Sequence, residues 1–299
     1  MASTSIASFS RVGTSQNWAE LPPELTTSIL TRVGSVDLLL SARKVCKTWR
    51  KICSGPDVWK VVDIRYSEIF YKLFNELGFD YVSKMEELVK QVVNLSSGQM
   101  IDFTIESFGS DNMLRYISDR SCQLTRLRLL SCHRITEEGL SELVKKLPLL
   151  EELHLCYIPV SKQAIEVIGR CCPLLKSFSL NRLKFTFPTG AFNEEALAIA
   201  ENMPGLRQVQ LIGNQMTSLG LLAILENCVH LESLDMRQCF NVGDLEYNLE
   251  RQLSQKIKNI RFPYDSTEDY EFGAEICDSS EDDPFGLSYF GCSDIDSDN

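Results

Sequence analysis

The chain has 299 residues, of which 44% are hydrophobic and 24% charged, and its formal net charge is −11. This composition is typical of a folded globular protein and excludes the collagen-like, coiled-coil and wholly disordered classes. No apolar run approaches the ~20 residues of a membrane-spanning helix, and the Ser- and Thr-rich start lacks the apolar core of a secretory signal. The eleven cysteines are an odd number. We therefore expect reduced thiols and a protein of the nucleus, the cytoplasm or both.

Residues 1–16 are predicted to be disordered, and the first folded segment covers 17–64. A helix that begins at Pro22-Pro23 places Leu25, Ile29, Leu30 and Val33 on one face. A second helix is predicted from Asp37 through Ile52, because its apolar residues recur at spacings of three and four. Residues 58–64 are consistent with either a strand or an irregular apolar segment.

Four motifs in this segment carry a family resemblance: Leu21-Pro22, Ile29-Leu30, Val45-Cys46-Lys-Thr-Trp49-Arg50 and a late Trp59. Their order resembles the F-box. The resemblance implies docking on the Skp adaptor of a cullin–RING ubiquitin ligase. Its apolar positions are the candidate adaptor contacts, although the sequence leaves open which of them face the adaptor and which fill the F-box core: Leu21, Pro22, Leu25, Ile29, Leu30, Val33, Leu38, Leu39, Val45, Cys46 and Trp49.

Five Lys or Arg residues between Arg43 and Lys51 form a basic run. Such a run could hold phosphates, but one basic helix face without interleaved aromatics is weak support for nucleic-acid binding. We interpret it as a charged face beside an apolar docking stripe, and we expect neither a nucleic-acid nor a membrane partner.

After a helical connection over 65–95, residues 96–264 repeat the spacing L-x-x-L-x-L with starts 25 to 31 residues apart. Weaker copies at both ends bring the count to about seven units; in the first of them Ile101 and Phe103 are aligned with Leu127 and Leu129. The five clear copies are Leu124/Leu127/Leu129, Leu150/Leu153/Leu155, Leu175/Phe178/Leu180, Leu206/Val209/Leu211 and Leu231/Leu234/Met236.

Each unit is predicted to be a short strand followed by a helix, and prolines end three of the helices, at Pro148, Pro173 and Pro204. One strand and one helix cannot bury their apolar faces alone, so the units must stack, with parallel strands on the concave side. The copy from Cys122 to Leu140 resembles the cysteine-containing leucine-rich repeat. The chain as a whole is thus expected to be α/β, a helical F-box followed by a leucine-rich-repeat solenoid, an order that resembles plant F-box/LRR proteins of the Skp-interacting-partner (SKIP) type.

The cysteines of the repeats are interpreted as small core residues rather than metal ligands, because no C-x-x-C is present and only three histidines are available. The cysteines in question are Cys122, Cys132, Cys172, Cys228 and Cys239. The common nucleophile and phosphate-binding motifs are also absent. We expect no metal, no cofactor and no catalytic activity.

Residues between the core leucines point out of the concave sheet, since side chains alternate along a strand. Their mixed charge favours a protein surface over a polyanion. A solvated sheet with binding in the loops is the alternative. The candidate substrate-binding residues are Arg126, Arg128, Glu152, His154, Gln208, Gln210, Asp235 and Arg237.

Two segments depart from the repeat. An insertion at 182–192 carries Phe185, Phe187 and Phe192, which either anchor a partner or patch the broken solenoid.

Residues 262–299 contain twelve Asp or Glu and no Lys or Arg, which leaves a charge of +1 on the rest of the chain. We predict a disordered acidic tail over 265–299.

The resemblance implies a non-catalytic receptor subunit of an SCF (Skp–cullin–F-box) ubiquitin ligase, with a protein substrate that the sequence does not identify. The alternative is a repeat scaffold outside ubiquitin transfer, in which the F-box serves only as the N-terminal cap that a solenoid requires.

Overall fold

The computed structural model describes residues 21–65, 81–182, 192–243 and 247–270. Some predictions lie wholly or partly outside these ranges: those for 1–16, for 17–20 of the F-box, for 66–80 of the helical connection, for 183–191 of the insertion, for 244–246 of the repeats and for 271–299. No helix within the described ranges is long and apolar enough to cross a membrane.

The F-box consists of short helical segments wrapped around a small core. Its α1 helix starts immediately after Pro22, as the prolines predict, and Leu30, Leu38 and Trp59 are almost fully buried. The Trp59 indole Nε1–H donates to the Cys53 carbonyl at 2.9 Å, which satisfies its buried polar group. The segments are α1 (Pro23–Leu30), α2 (Ser35–Asp37), a π-helical turn (Leu38–Ala42), α3 (Arg43–Val45), α4 (Lys47–Ile52) and a 3₁₀ turn (Pro56–Trp59).

The second helix differs from the sequence prediction in two ways. It begins at Ser35 rather than at an Asp37 cap, and it breaks at Cys46, where the backbone is extended (φ −155°, ψ 173°). The Cys46 Sγ accepts from the Trp49 N–H at 3.4 Å and so serves as the N-cap of α4. The apolar spacing continues across the break, which is why periodicity alone predicted one helix.

In the described ranges of the chain, eight parallel strands form one sheet, and each pairs with its neighbours in sequence order. Equivalent repeat positions lie opposite one another, as Leu127 does to Leu153 and Leu153 to Phe178. The strands are β1 (Val61–Ile64), β2 (Asp102–Glu106), β3 (Arg126–Leu130), β4 (Glu152–Cys156), β5 (Ser177–Asn181), β6 (Gln208–Gln210), β7 (Ser233–Asp235) and β8 (Asn259–Arg261).

Helices follow the strands on one side of the sheet, and the repeat leucines fill the space between the two layers with essentially no exposure. Together with the helical F-box, this arrangement confirms the predicted fold class. The helices are α5 (Tyr81–Ser96), α6 (Asp111–Ser118), α7 (Glu137–Val144), α8 (Lys162–Cys171), α9 (Glu194–Asn202), α10 (Ser218–Asn227) and α11 (Tyr247–Lys256).

The sheet is longer than predicted because β1, which precedes the repeats, joins it. Val62 and Ile64 alternate with more exposed residues, and β1 pairs in parallel with β2 over four positions. Val62 and Ile64 also belong to one continuous apolar core that includes Trp59 and the repeats. The F-box and the solenoid are therefore one packed body rather than two domains on a linker.

Polar contacts join the starts of several successive helices. The Asp111 carboxylate accepts from the Thr136 N–H at 2.9 Å and from its hydroxyl at 2.7 Å, while the Thr136 hydroxyl caps the N–H of Gly139. Asn193 has the same role further along the solenoid, where it accepts from the N–H groups of Thr217 and Gly220 at 2.9 and 3.1 Å. These ties align the helices at the spacing set by the strands.

The burial of the repeat cysteines is as predicted for four of five: Cys132, Cys172, Cys228 and Cys239 are buried, but Cys122 is exposed. Cys172 and Cys228 precede the first leucine of their repeats by three residues, whereas Cys122 precedes Leu124 by two. The equivalent buried position in that repeat is Ser121. The prediction for Cys122 was wrong by one residue of alignment.

Candidate interaction surfaces

Three large apolar side chains in the described part of the F-box segment lie open on its surface, and one of them, Val61 in β1, is 51% exposed. Leu25, on α1, is 55% exposed, and Val45, at the end of α3, is 60% exposed. Pro22 is exposed as well, while Leu21, Ile29, Val33, Cys46 and Trp49 are partly buried. Single exposed apolar side chains are common on folded proteins, so exposure does not by itself define a docking site; it leaves Leu25 and Val45 accessible to a partner.

Three other residues predicted as adaptor contacts lie in the core: Leu30, Leu38 and Leu39 are buried. Their role at an adaptor interface stays a prediction. In this conformation they stabilise the F-box itself and position the helices that carry Leu25 and Val45.

A groove beside α1 and α4 is a second feature of the F-box surface, on the face of α1 that carries Pro23 and Thr27 rather than Leu25. It has a volume of about 510 Å³, and Pro23, Thr27, Ile52 and Gly55 line it together with the basic residues Lys47 and Lys51. The basic run of the sequence thus borders an apolar groove, which is the geometry of a docking site rimmed by charge.

The first half of the concave face is an ion-pair network built on Asp102. Its carboxylate accepts from Arg126 Nε at 2.7 Å and from Arg128 Nη1 at 3.2 Å, and Arg128 Nη2 reaches Glu152 at 3.3 Å. The Asp102 side chain is only 9% exposed, whereas both arginines are about one-third exposed. The hydrogen bond to Asp102 raises the pKa of Arg126, so this guanidinium stays charged.

The middle of the concave face is lined by polar side chains that hydrogen-bond to one another. His154 Nε2 lies 3.3 Å from the Ser177 hydroxyl, and that hydroxyl lies 3.5 Å from Gln208 Oε1. Gln210 accepts from Asn181 Nδ2 at 2.8 Å and donates to Asp235 at 3.1 Å. The sheet therefore presents a row of hydrogen-bonding groups between two charged zones.

The end of the concave face is covered, which the sequence did not predict. We call residues 262–270 the strap. They follow β8 and lie over Asp235 and Arg237, both of which are buried. Arg237 donates to the Asp235 carboxylate and to the Ser266 carbonyl, the latter at 2.9 Å, and it is ion-paired with Asp269. The disorder predicted from Asp265 onward is therefore wrong as far as Tyr270, because specific arginine partners hold this acidic segment.

Two cavities gather most of the predicted substrate-binding residues. One, of about 530 Å³, brings together Arg128, His154, Gln210 and Arg237 beside Tyr270. The other, of about 610 Å³, is lined by His154, Gln208, Gln210, Asp235 and Arg237 among others. Arg126 and Glu152 line neither cavity and are joined to them only through Asp102 and Arg128. Substrate binding by these residues stays a prediction.

Sequence reasoning missed four residues of this surface: Asp102, Asn181, Asp269 and Tyr270. Asp102 could have been found, because it lies 24 residues before Arg126 at the same point of the weak first repeat. Asn181 follows Leu180 by one residue, beyond the positions between the core leucines. No periodic signal marks Asp269 or Tyr270.

The buried thiols have a structural role. Burial raises the pKa of Cys132 and of Cys172 to about 12 and that of Cys228 to about 11, so all three stay protonated. The Cys132 thiol donates to the Phe108 carbonyl of the preceding repeat at 2.9 Å. Within the described ranges, no group of three or more His, Cys, Asp or Glu residues is arranged to hold a metal ion.

Comparisons with known proteins identify relatives of the chain. A family model described as F-box-like matches residues 18–65. The chain is 41% identical over 277 residues to the F-box protein SKIP19 of Arabidopsis thaliana, covering 93% of this chain and 86% of that protein. It is 42% identical over 258 residues to the putative F-box/LRR-repeat protein 22 of the same plant, covering 86% and 80%. Among solved structures it is similar to the leucine-rich repeat-containing protein LegL7 of Legionella pneumophila, with 12% identity, a TM-score of 0.30, and 70% and 77% coverage.

Proposed function

The chain belongs to the family of F-box/leucine-rich-repeat proteins, and from this premise we propose that it is the substrate-recognition subunit of an SCF ubiquitin ligase. The F-box would bind a Skp-type adaptor, and the concave face of the repeats would bind a protein substrate. The observation that carries the proposal is the match of the F-box-like family model to residues 18–65, and the exposed side chains of Leu25 and Val45 supply apolar contacts for the adaptor.

In this function the chain supplies no chemistry. Holding a substrate near a ubiquitin-loaded enzyme raises the effective concentration of its lysines, and the bond-forming steps belong to other subunits. The rigid junction between F-box and repeats supports this role, because it fixes the distance between adaptor and substrate. We therefore propose a non-catalytic receptor.

One observation favours the second candidate, a repeat scaffold outside ubiquitin transfer. The F-box closes the free edge of β1 and shares its core with the repeats, so it serves as an N-terminal cap. Capping alone, however, would not require Leu25 and Val45 to be open to water.

Co-purification of the full chain with a Skp-type adaptor tests the proposal. The two variants Leu25→Asp and Val45→Asp place a charge on the docking surface without touching the F-box core. We expect each to weaken adaptor binding by about thirtyfold, the effect of a central interface residue worth about 2 kcal/mol. The matched control is Leu149→Asp, at a leucine of the repeats that is 45% exposed, and it should bind like the unmodified chain.

Leu30→Asp is not a clean test, since Leu30 is fully buried and a charge there would disrupt the F-box itself. Failure of the unmodified chain to retain the adaptor would overturn the receptor assignment and favour the scaffold. Undiminished binding of both surface variants would instead show that the adaptor docks elsewhere than at Leu25 and Val45.

A further inference from the structure

The strap crosses the concave face like a bound peptide. It leaves β8, and the Gln238 N–H donates to the Pro263 carbonyl at 2.8 Å. It ends with Tyr270, whose hydroxyl accepts from Asn181 Nδ2 at 2.7 Å. Asn181 is at the end of β5, so the strap has returned three strands along the sheet in nine residues.

The strap is held by a carboxylate and a phenol side by side. Asp269 bridges two arginines of the sheet, pairing with Arg237 and reaching Arg261 Nη2 at 2.7 Å. The Arg237 guanidinium also lies 5.8 Å from the centre of the Tyr270 ring, within the range of a cation–π contact. The Arg237 side chain is only 5% exposed, so its guanidinium is shielded from water, whereas Asp269 and Arg261 are each about half exposed.

Tyr270 fills a position on the sheet rather than lying loosely over it. Its oxygen is 3.6 Å from the sulfur of Cys156, at the end of β4, and Cys156 is buried. Burial raises the pKa of the Tyr270 hydroxyl well above its usual range, so the group stays a neutral phenol. The same ring forms one wall of the cavity that Arg128 and His154 line from the other side.

From these contacts we propose that the strap is an intramolecular ligand of the concave face, and that the substrate is a peptide segment in which an acidic residue precedes an aromatic one. The inference rests on the proposed function, in which this face recognises the substrate. The substrate carboxylate takes the place of Asp269 on Arg237 and Arg261, and its aromatic ring takes the place of the Tyr270 ring beside the Arg237 guanidinium. Binding therefore requires displacement of the strap.

The tether sets a bound on the affinity. A segment joined to its site by a few residues has an effective concentration on the order of 1 mM. Because the strap occupies the site in the structure, the same segment must bind in trans with a Kd below about that concentration once the strap is removed from competition.

The test uses the full chain with Asp269→Ala and Tyr270→Ala combined, and a fluorescein-labelled peptide with the sequence of residues 262–270. Anisotropy should show binding to this variant with a Kd below about 1 mM, and about tenfold weaker binding to the unmodified chain. A peptide with alanine in place of the final Asp-Tyr pair should not bind. The matched control is Tyr264→Ala, since Tyr264 lies on the same strap but is 69% exposed; that chain should behave like the unmodified one.

A second measurement does not depend on peptide affinity. Removal of the Tyr270 ring should expose the Cys156 thiol, so its alkylation rate should rise by about tenfold or more in Tyr270→Ala and stay unchanged in Tyr264→Ala. An unchanged Cys156 rate, or a freed chain that ignores the peptide while still folding cooperatively, would overturn the proposal.

Adaptor co-purification distinguishes this failure from failure of the proposed function. The strap variants leave the F-box untouched and should retain the adaptor fully. If the strap variants retain the adaptor but do not bind the peptide, the intramolecular-ligand proposal is wrong and the proposed function is unaffected.

Discussion

The hydroxyl of Ser35 accepts a hydrogen bond from the main-chain N–H of Asp63 at 3.0 Å. Ser35 opens the second helix of the F-box, and Asp63 lies in the middle of β1, so this bond joins the F-box to the solenoid at the free edge of the sheet. An unpaired strand edge is a site of unwanted pairing with other chains. The F-box thus protects the sheet and at the same time becomes fixed to it.

We predict that Ser35→Ala lowers the free energy of unfolding of the whole chain by about 1 kcal/mol, because the Asp63 N–H loses its partner at a half-buried site. Urea denaturation followed by circular dichroism measures the change. Ser41→Ala, at an exposed serine of the same F-box, is the control and should be neutral. An equal effect of the two changes would show that the junction adds nothing to stability.

The repeats were predictable because their information is periodic. Leu127 and Leu153 fall at the same point of successive units, and the structure places them directly opposite each other. Seven of the eight described strands lie at predicted repeats because each is specified by its own apolar residues. The weak first copy is the exception in register: Phe103 pairs with Leu127, not with Leu129 as the alignment had it, because one phenylalanine in an apolar run does not fix its own position.

Two features that the sequence did not predict, the helix break at Cys46 and the strap, each depend on a single residue or residue pair. The helix break at Cys46 depends on a single extended backbone conformation that the apolar spacing does not record. The strap depends on Asp269 meeting Arg237, which is 32 residues away in sequence. Amino-acid composition treats all acidic residues of 262–299 alike. It therefore cannot show that Asp269 forms an ion pair with Arg237.

Gly139 illustrates a constraint that is invisible in the sequence. A Cβ at this position would lie 2.0 Å from Asp111 Oδ1, which the hydrogen bonds to Thr136 hold in place. We predict that Gly139→Ala destabilises the chain by about 1–3 kcal/mol, although alanine ordinarily favours a helix interior by about 1 kcal/mol over glycine. Thermal and urea denaturation give the value.

Gly205→Ala is the control for this change, since a Cβ there would meet only the Leu175 carbonyl, at 3.8 Å. The clash is with the Asp111 side chain. The loss of unfolding free energy caused by Gly139→Ala should therefore be smaller in an Asp111→Ala background than in the unmodified chain. Strict additivity of the two changes would contradict the proposed cause.

The cysteines predict a pattern of chemical reactivity. At about pH 8 the exposed Cys122 should react with iodoacetamide in the folded protein, whereas Cys132 and Cys172 should react only after denaturation, because burial raises the pKa of both thiols to about 12. Mass spectrometry of pulse-labelled protein locates the modified residues. Labelling of Cys132 as fast as Cys122 would contradict the buried assignment.

The same shifts make stability fall in alkali. The folded-state pKa of Cys172 is raised above the ordinary value of 9.0. As the pH rises past that ordinary value, the unfolded chain loses the thiol proton while the folded chain keeps it, so the free energy of unfolding decreases. Urea melts between about pH 7 and 10 measure the slope, and Cys172→Ala should reduce it. An identical slope in that variant would exclude this thiol as a contributor.

The network around Asp102 gives a prediction about charge. Its carboxylate joins Arg126 and Arg128, and Asp102→Asn leaves both cations without their shared anion. We expect a loss of about 1–2 kcal/mol in unfolding free energy, between the values for exposed and for buried pairs, because the arginines are partly solvated.

Salt separates this electrostatic effect from a packing effect, since asparagine and aspartate have nearly the same shape. The loss caused by Asp102→Asn should shrink between about 0.05 and 1 M NaCl, because ions screen the partly exposed arginines. Asp57→Asn is the matched control: Asp57 pairs with Lys60 at 3.0 Å, but its side chain is 70% exposed, and its loss should stay below about 0.5 kcal/mol at every salt concentration. If the cost at Asp102 does not change with salt, the carboxylate holds Arg126 and Arg128 through hydrogen-bond geometry rather than through charge.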